Sequence, residues 1–263
     1  MDEVMIHVVG QGAQLARIPA VLAGLDIGIS QVTASQGIIS IMLSGILFEN
    51  MGMATILNLV AMAPSIVFAV FGAGYAGKHG SKKAIVTWSR VCIVISLVAV
   101  AFFAVVNYSG IGTRSIASMG PAMILYVLIY LALNGAKMCV TTASTSFMAD
   151  VIDAELDRSG KYIPAVVTGT YSLVDKLISS FGALLASVAI VIAGYHGTAR
   201  PQPGDPATGA IFWVNMFVMY VVPILGWIVT LIAMKNCTLD REEMIRVQKR
   251  IAAAKAAAGA EKE

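Results

Sequence analysis

The chain has 263 residues, of which 58% are hydrophobic and only 13% are charged. Soluble domains contain about 45–50% apolar and about 25% charged residues, so this composition excludes a water-soluble fold. The net charge of +3 is too small to indicate nucleic-acid binding, and the three cysteines, which lack metal-type spacing, provide neither a disulfide framework nor a metal site.

The hydropathy pattern predicts an all-α membrane protein with six transmembrane helices. A helix needs about 20 apolar residues to cross a bilayer. Six stretches meet this need, at residues 19–48, 53–77, 85–107, 121–148, 162–194 and 211–234. The first is interrupted by polar residues, so a surface helix is its alternative. The joins are rich in charge, glycine or proline, and we expect loops there, including the join from Asp150 to Lys161.

The basic residues indicate how these spans are oriented. Arg114 and Arg200 lie on one side and Lys137 and Lys176 lie within spans, while the rest of the 18 Lys and Arg residues lie on the other side. The positive-inside rule then places both termini in the cytoplasm. The chain therefore divides into a cytoplasmic segment (1–18), a six-helix bundle (19–234) in the cell membrane, with a bacterial inner membrane favoured, and a charged cytoplasmic tail (235–263).

The tail from Leu239 onward is charged and rich in alanine. Glu242 and Arg246 are spaced one helical turn apart, which favours a cytosolic helix. Between this helix and a solvated, partly frayed end, the high charge leads us to expect the frayed end.

Ionisable residues inside the predicted spans are the strongest functional signal in the sequence. A charge at the bilayer centre costs at least about 2.5–3.5 kcal/mol, so such a residue usually faces a cavity or a partner. Asp26 lies on a stripe of small and polar residues in the first span, where it either lines a pathway or forms a structural ion pair.

Polar residues also share one side of the fourth span and one side of the fifth. Asn134, Lys137 and Thr141 recur at helical spacing in the fourth span. In the fifth span Ser172 and Asp175 form a similar stripe, with Lys176 at its edge. These faces are suited to hydrogen bonding with a solute. Helix packing through small residues and a self-neutralising Asp175–Lys176 pair are the alternatives.

Acidic and basic residues are concentrated where the fourth span meets the cytoplasm. Ion pairs there would latch a cytoplasmic gate by forming in one conformation and breaking in another, and an ordinary solvated loop is the alternative. The predicted gate consists of Asp150, Asp153, Glu155 and Arg158.

Two segments carry a resemblance to a known family. Phe147–Glu155, followed by Ser159-Gly160-Lys161, resembles the segment after the tenth helix of the glycoside-pentoside-hexuronide:cation symporters, which belong to the major facilitator superfamily and include melibiose permease. Ala76–Lys83 resembles the basic turn between helices eight and nine. The resemblance covers residues 17–250 and maps onto helices seven to twelve only.

This resemblance implies that the chain is the C-terminal half of a twelve-helix facilitator. The match continues through Leu173–Leu177 and the small residues of Ser180–Ala186 to Ala193-Gly194-Tyr195. It implies that Lys176 and Ser172 line the sugar and cation region. It also implies that Asp150 and Asp153 match an acidic pair at the cytoplasmic end. The chain departs from the family pattern at Thr141, where melibiose permease has a tryptophan near the sugar. In the family, the carboxylates that bind the coupling cation lie on the N-terminal half, which has no counterpart here.

We therefore predict a symporter that moves a sugar or related organic solute by alternating access, coupled to Na+ or H+. No catalytic residue, metal or cofactor is expected, and an intramembrane enzyme is disfavoured because no His, Cys and carboxylate set places a nucleophile beside a base. Expected partners are membrane lipid, the solute, and a missing N-terminal half or second copy, without nucleic acid.

The alternative function is a membrane subunit or scaffold that pairs with a separate six-helix partner and does not transport alone. The predicted substrate site consists of Asp26, Asn134, Lys137, Thr141, Ser172, Asp175 and Lys176.

Overall fold

The computed structural model describes residues 51–108, 120–192, 194, 213–214 and 216–260. These residues are helical apart from short turns, and no strand occurs among them, which confirms the all-α prediction. The predicted first span lies outside the described residues. The helices are α1 (Met51–His79), α2 (Ser81–Tyr108), α3 (Pro121–Ser159), α4 (Pro164–Ile192), α5 (Val222–Lys235) and α6 (Arg241–Ala260), and a π-helical segment, Phe217–Val221, leads into α5.

Four helical stretches of the described chain are long and apolar enough to cross a membrane. They are Leu59–His79, Ser81–Val106, Pro121–Ser159 and Phe217–Lys235, and they correspond to the second, third, fourth and sixth predicted spans. Helix α4 has 29 residues and coincides with the fifth predicted span, but it is not among these four stretches. The count of six spans therefore stays a prediction for the complete chain.

Helix α3 is the centre of the described bundle, with α1 and α2 packed along it and α6 packed against it. Glycines allow α1 and α3 to approach closely. A Cβ atom at Gly72 would lie 2.8 Å from the Cα atom of Cys139, and one at Gly135 would lie 2.6 Å from the ring of Phe68. Small residues of this kind let membrane helices pack through van der Waals contact, since the lipid gives no hydrophobic drive for helix association.

Small side chains also line the buried face of α2. Ser89, Cys92, Ser96 and Ala99 recur every three or four residues and are fully buried. Beyond them, aromatic rings fill the space between α2, α3 and the last transmembrane segment. This aromatic cluster consists of Phe103, Tyr126, Tyr220 and Trp227.

The prediction of a loop from Asp150 to Lys161 is wrong, because α3 continues as a helix to Ser159. Val151 and Glu155, one turn apart, are both buried, so the inner face of the helix continues past the apolar stretch. Gly160 ends α3 with a φ of 67°, and its N–H donates to the Leu156 carbonyl at 2.9 Å. A 39-residue helix is about 58 Å long, whereas the hydrocarbon core is about 30 Å thick. The charged end of α3 therefore extends beyond the membrane core.

The tail from residue 241 forms a docked helix, rather than a frayed end, in its described part. Met244 and Val247 are buried one turn apart on the face of α6. In this helix the Arg246 guanidinium pairs with the carboxylate of Glu243, three residues earlier, at 3.4 Å. Glu242, which the sequence placed one turn before Arg246, is not the residue that forms this ion pair.

Candidate functional site

Three of the predicted solute-binding residues lie together on α4. The Lys176 ammonium is 3.4 Å from the Asp175 carboxylate, and Ser172 is exposed one turn earlier. The Lys176 side chain is 83% exposed and that of Asp175 is 29% exposed. Although the self-neutralising pair forms, the exposed ammonium retains free space for donation to another acceptor.

The polar residues of α3 are bonded to their own helix. Asn134 donates its side-chain N–H to the Tyr130 carbonyl at 2.8 Å, and the Thr141 hydroxyl donates to the Lys137 carbonyl at 3.1 Å. Back-bonding of this kind satisfies the hydroxyl donor of a residue inside a transmembrane helix. The Thr141 side chain remains exposed, and its oxygen is still able to accept a hydrogen bond.

Lys137 lies close to a residue of α2 that is not part of the predicted solute site. It is half-buried, and its amine lies within electrostatic range of the fully buried Cys92 on α2. In the described ranges no carboxylate lies within ion-pair distance of it. Asp26, the remaining predicted site residue, lies outside those ranges.

Helices α3 and α4 meet around Val167, which packs in the same apolar cluster as Phe147 and Val151. The predicted site residues thus form two groups on neighbouring helices. One group is Asn134 and Thr141 on α3, and the other is Ser172, Asp175 and Lys176 on α4.

The four predicted gate residues lie along the charged end of α3. Arg158 pairs with the buried Glu155 at 3.1 Å, one turn away on the same helix. Asp150 interacts with the Ser81 hydroxyl at the start of α2, and Asp153 is half-buried. The Glu155–Arg158 pair is therefore internal to α3 and does not join two helices.

Two ion pairs that the sequence did not single out join separate elements, one between α3 and α6 and one between α2 and the turn before α6. Arg250 on α6 donates to both carboxylate oxygens of Asp157 on α3, at 2.9 and 2.7 Å, and also to Glu243 at 3.1 Å. These hydrogen bonds, first those to Asp157, raise the pKa of Arg250 further above its ordinary value. Lys82 at the start of α2 pairs with Asp240 at 2.7 Å. In the sequence these residues are recognisable only as charged, and the partners are too far apart along the chain for their spacing to predict the pairs.

A cleft of about 510 Å³ lies between the charged end of α3, the α5–α6 turn and α6. It is lined both by apolar residues such as Phe147 and Val247 and by charged residues such as Asp157 and Arg250. Cys237 also borders the cleft, and burial raises the pKa of its thiol. A thiol with a raised pKa is a poor nucleophile at neutral pH. Because this thiol is buried beside α6 and reacts slowly, the rate at which Cys237 is labelled reports how firmly α6 is docked.

Replacing Arg250 with glutamine is expected to loosen α6 and to increase the labelling rate of Cys237 severalfold. The change removes the hydrogen bonds that Arg250 donates to Asp157 and to Glu243, so the cleft around Cys237 opens more often. Labelling of the purified protein with a maleimide, with each cysteine resolved by peptide mass spectrometry, measures this rate. Lys249→Gln is the matched control, because Lys249 is exposed and carries the same charge one residue away. Equal labelling rates in the two variants would contradict the docking role of Arg250.

The described helices are those of an integral membrane protein. They are long and apolar, they pack through small residues, and they carry a few polar side chains. The chain matches the sequence model of the MFS/sugar transport protein family over residues 37–241, which is well over half of its length. It belongs to that family, and the major facilitator resemblance is confirmed. Proteins of this family are transporters rather than enzymes. No curated protein and no solved structure matches the chain.

Proposed function

We propose that the chain supplies the C-terminal six-helix half of a symporter for a sugar or related organic solute, coupled to Na+ or H+. Membership of the sugar-transport family supports the solute class. The observation that carries the assignment to a site is the exposed Lys176 ammonium on α4, beside Asp175 and one turn from Ser172. An ionisable residue on a membrane helix is retained where it faces a cavity or a partner.

The chemistry of these side chains suits a polyhydroxylated solute. The Lys176 ammonium has three donors, while Asp175 offers acceptor oxygens and the hydroxyls of Ser172 and Thr141 do both. A sugar hydroxyl also donates and accepts, so it pairs with either type of group. The site uses hydrogen bonding alone and requires no covalent step.

Coupling follows from differential affinity of the two ligands for the conformations of the carrier. A cation that binds better to the solute-binding conformation raises its population, and linkage requires the solute to favour cation binding equally. Joint occupancy then permits the two halves to rock about the central cavity. The chain would contribute one half of that cavity through α3 and α4.

The charged end of the bundle is the cytoplasmic end in this proposal, because it carries the concentration of basic residues. The predicted gate residues Asp150, Asp153, Glu155 and Arg158 lie there on α3. At the same end, the Asp157–Arg250 pair joins α3 to α6 and the Lys82–Asp240 pair joins α2 to the turn before α6. They are the contacts whose making and breaking would accompany gate movement.

A membrane subunit or scaffold is the second candidate function, and the exposure of α4 favours it. Leu173, Leu177 and Leu184 are exposed together with the charged Lys176. A face that combines a charge with apolar side chains is better covered by another helical protein than by lipid. A separate six-helix chain, or a second copy of this one, would then be the partner.

Uptake into proteoliposomes tests the proposed transport. We expect labelled glycosides or hexuronates to accumulate when a Na+ or proton gradient is imposed on the chain reconstituted with the six-helix partner that purifies with it. Accumulation by the chain alone would mean that two copies assemble into a carrier. Folded, inserted protein that accumulates no solute with or without a partner would overturn transport and leave the scaffold function.

A further inference from the structure

Helix α2 presents one continuous exposed stripe that the proposed transport does not use. Its members recur at helical spacing over about 33 Å of the helix axis. The stripe has two cations, Lys83 and Arg90, at its charged end, and its other residues are apolar. The exposed stripe of α2 consists of Lys83, Arg90, Val94, Leu97, Val98, Ala101 and Val105.

Arg90 is an exposed cation near the charged end of the third predicted span. It lies seven residues after Lys83, two turns along the same face and about 10 Å deeper. Among the residues that the structure describes, no carboxylate is within ion-pair distance of either side chain. A long basic side chain in this position extends toward the headgroup level of the membrane to keep its charge out of hydrocarbon.

The surroundings of Lys83 add further positive charge. The turn before α2 meets the turn before α6, since a Cβ atom at Gly80 would lie 3.0 Å from the Cβ atom of Arg241. Asp240 is the only carboxylate in residues 78–83 and 235–241. It is paired with Lys82 at 2.7 Å, and Asp150 of α3 reaches the same turn through the Ser81 hydroxyl. Neither acid is within ion-pair distance of Lys83, so this lysine keeps its charge available to a ligand.

We propose that the exposed stripe of α2 binds an anionic phospholipid. The phosphate lies between Lys83 and Arg90, where the guanidinium offers two parallel donors and the ammonium a point charge. An acyl chain lies along the apolar part of the stripe, past Leu97 and Val105. A headgroup with net negative charge is preferred, because a zwitterionic lipid carries its own cation next to the phosphate.

Native mass spectrometry of the detergent-purified full chain tests this site. We expect retention of one phosphatidylglycerol molecule with higher affinity than phosphatidylcholine of the same acyl chains. Each cation near a membrane surface contributes about fivefold in affinity for anionic lipid, so Lys83→Gln with Arg90→Gln should weaken phosphatidylglycerol binding by about 25-fold. Binding of phosphatidylcholine should change little. If the double variant does not fold, Lys83→Gln alone should show the fivefold loss.

A matched control separates a defined site from general attraction between charges. Lys249→Gln with Lys255→Gln removes the same charge from exposed positions of α6 and should leave phosphatidylglycerol binding unchanged. Equal weakening by both double variants would overturn the site on α2. Displacement of the lipid by glycerol phosphate at similar concentration would also overturn it, because the ligand would then be a free phosphate ester with no use for the apolar stripe.

Discussion

Replacing Lys176 with alanine is expected to reduce gradient-driven uptake by the assembled carrier to a small fraction of its normal rate, without preventing insertion in the membrane. The side chain is 83% exposed, so its removal takes away little packing. A hydrogen bond to a charged group contributes enough free energy that its loss lowers transport at low solute concentration by about 10- to 150-fold. Initial rates of labelled solute uptake, normalised to the amount of inserted protein, measure the effect.

Lys161→Ala provides the control for this experiment. Lys161 is also an exposed lysine, but it lies in the short turn between α3 and α4, away from Ser172 and Asp175. Its loss changes the net charge equally and should leave uptake near the level of the unmodified protein. Normal accumulation by the Lys176→Ala protein would refute the solute site on α4, whatever the control shows.

The sequence predicted the apolar helices because their hydropathy is continuous over the thickness of a bilayer. It failed at the charged end of α3, where the composition indicated a loop and the chain instead continues as helix to Ser159. In this segment Val151 and Glu155 are buried, so packing against neighbouring helices supports the continued helix. The number of charges in a segment does not show that one face of it is buried against other helices, and such packing stabilises a helix.

The candidate site was predictable within each helix and less so between helices. Periodicity placed Asn134, Lys137 and Thr141 on one side of α3, but it could not determine that Lys137 lies near Cys92 on α2. The Asp157–Arg250 pair joins residues 93 positions apart, and a separation of this size leaves no local spacing in the sequence. The relative position of two helices is set by packing, and periodicity carries no information about it.

Replacing Gly72 with leucine is expected to destabilise the bundle by about 1–3 kcal/mol or more, because the new side chain overpacks the α1–α3 contact. A Cβ atom at this position would lie 2.8 Å from the backbone Cα atom of Cys139, so the two helices must separate to admit it. Thermal unfolding of the purified protein in one detergent, followed by the loss of monodisperse protein on size exclusion, measures the change in stability.

Gly74→Leu is the matched control, since a Cβ atom at Gly74 meets no other atom within 4 Å. In that variant the gain in helix propensity over glycine, about 1 kcal/mol at most, is opposed by no clash. A Gly135→Ala variant should fall between the two, because its new methyl group meets the ring of Phe68, which is able to rotate, whereas the backbone of Cys139 is not. Equal stability of the Gly72 and Gly74 variants would mean that α1 is not held against α3 by close backbone approach.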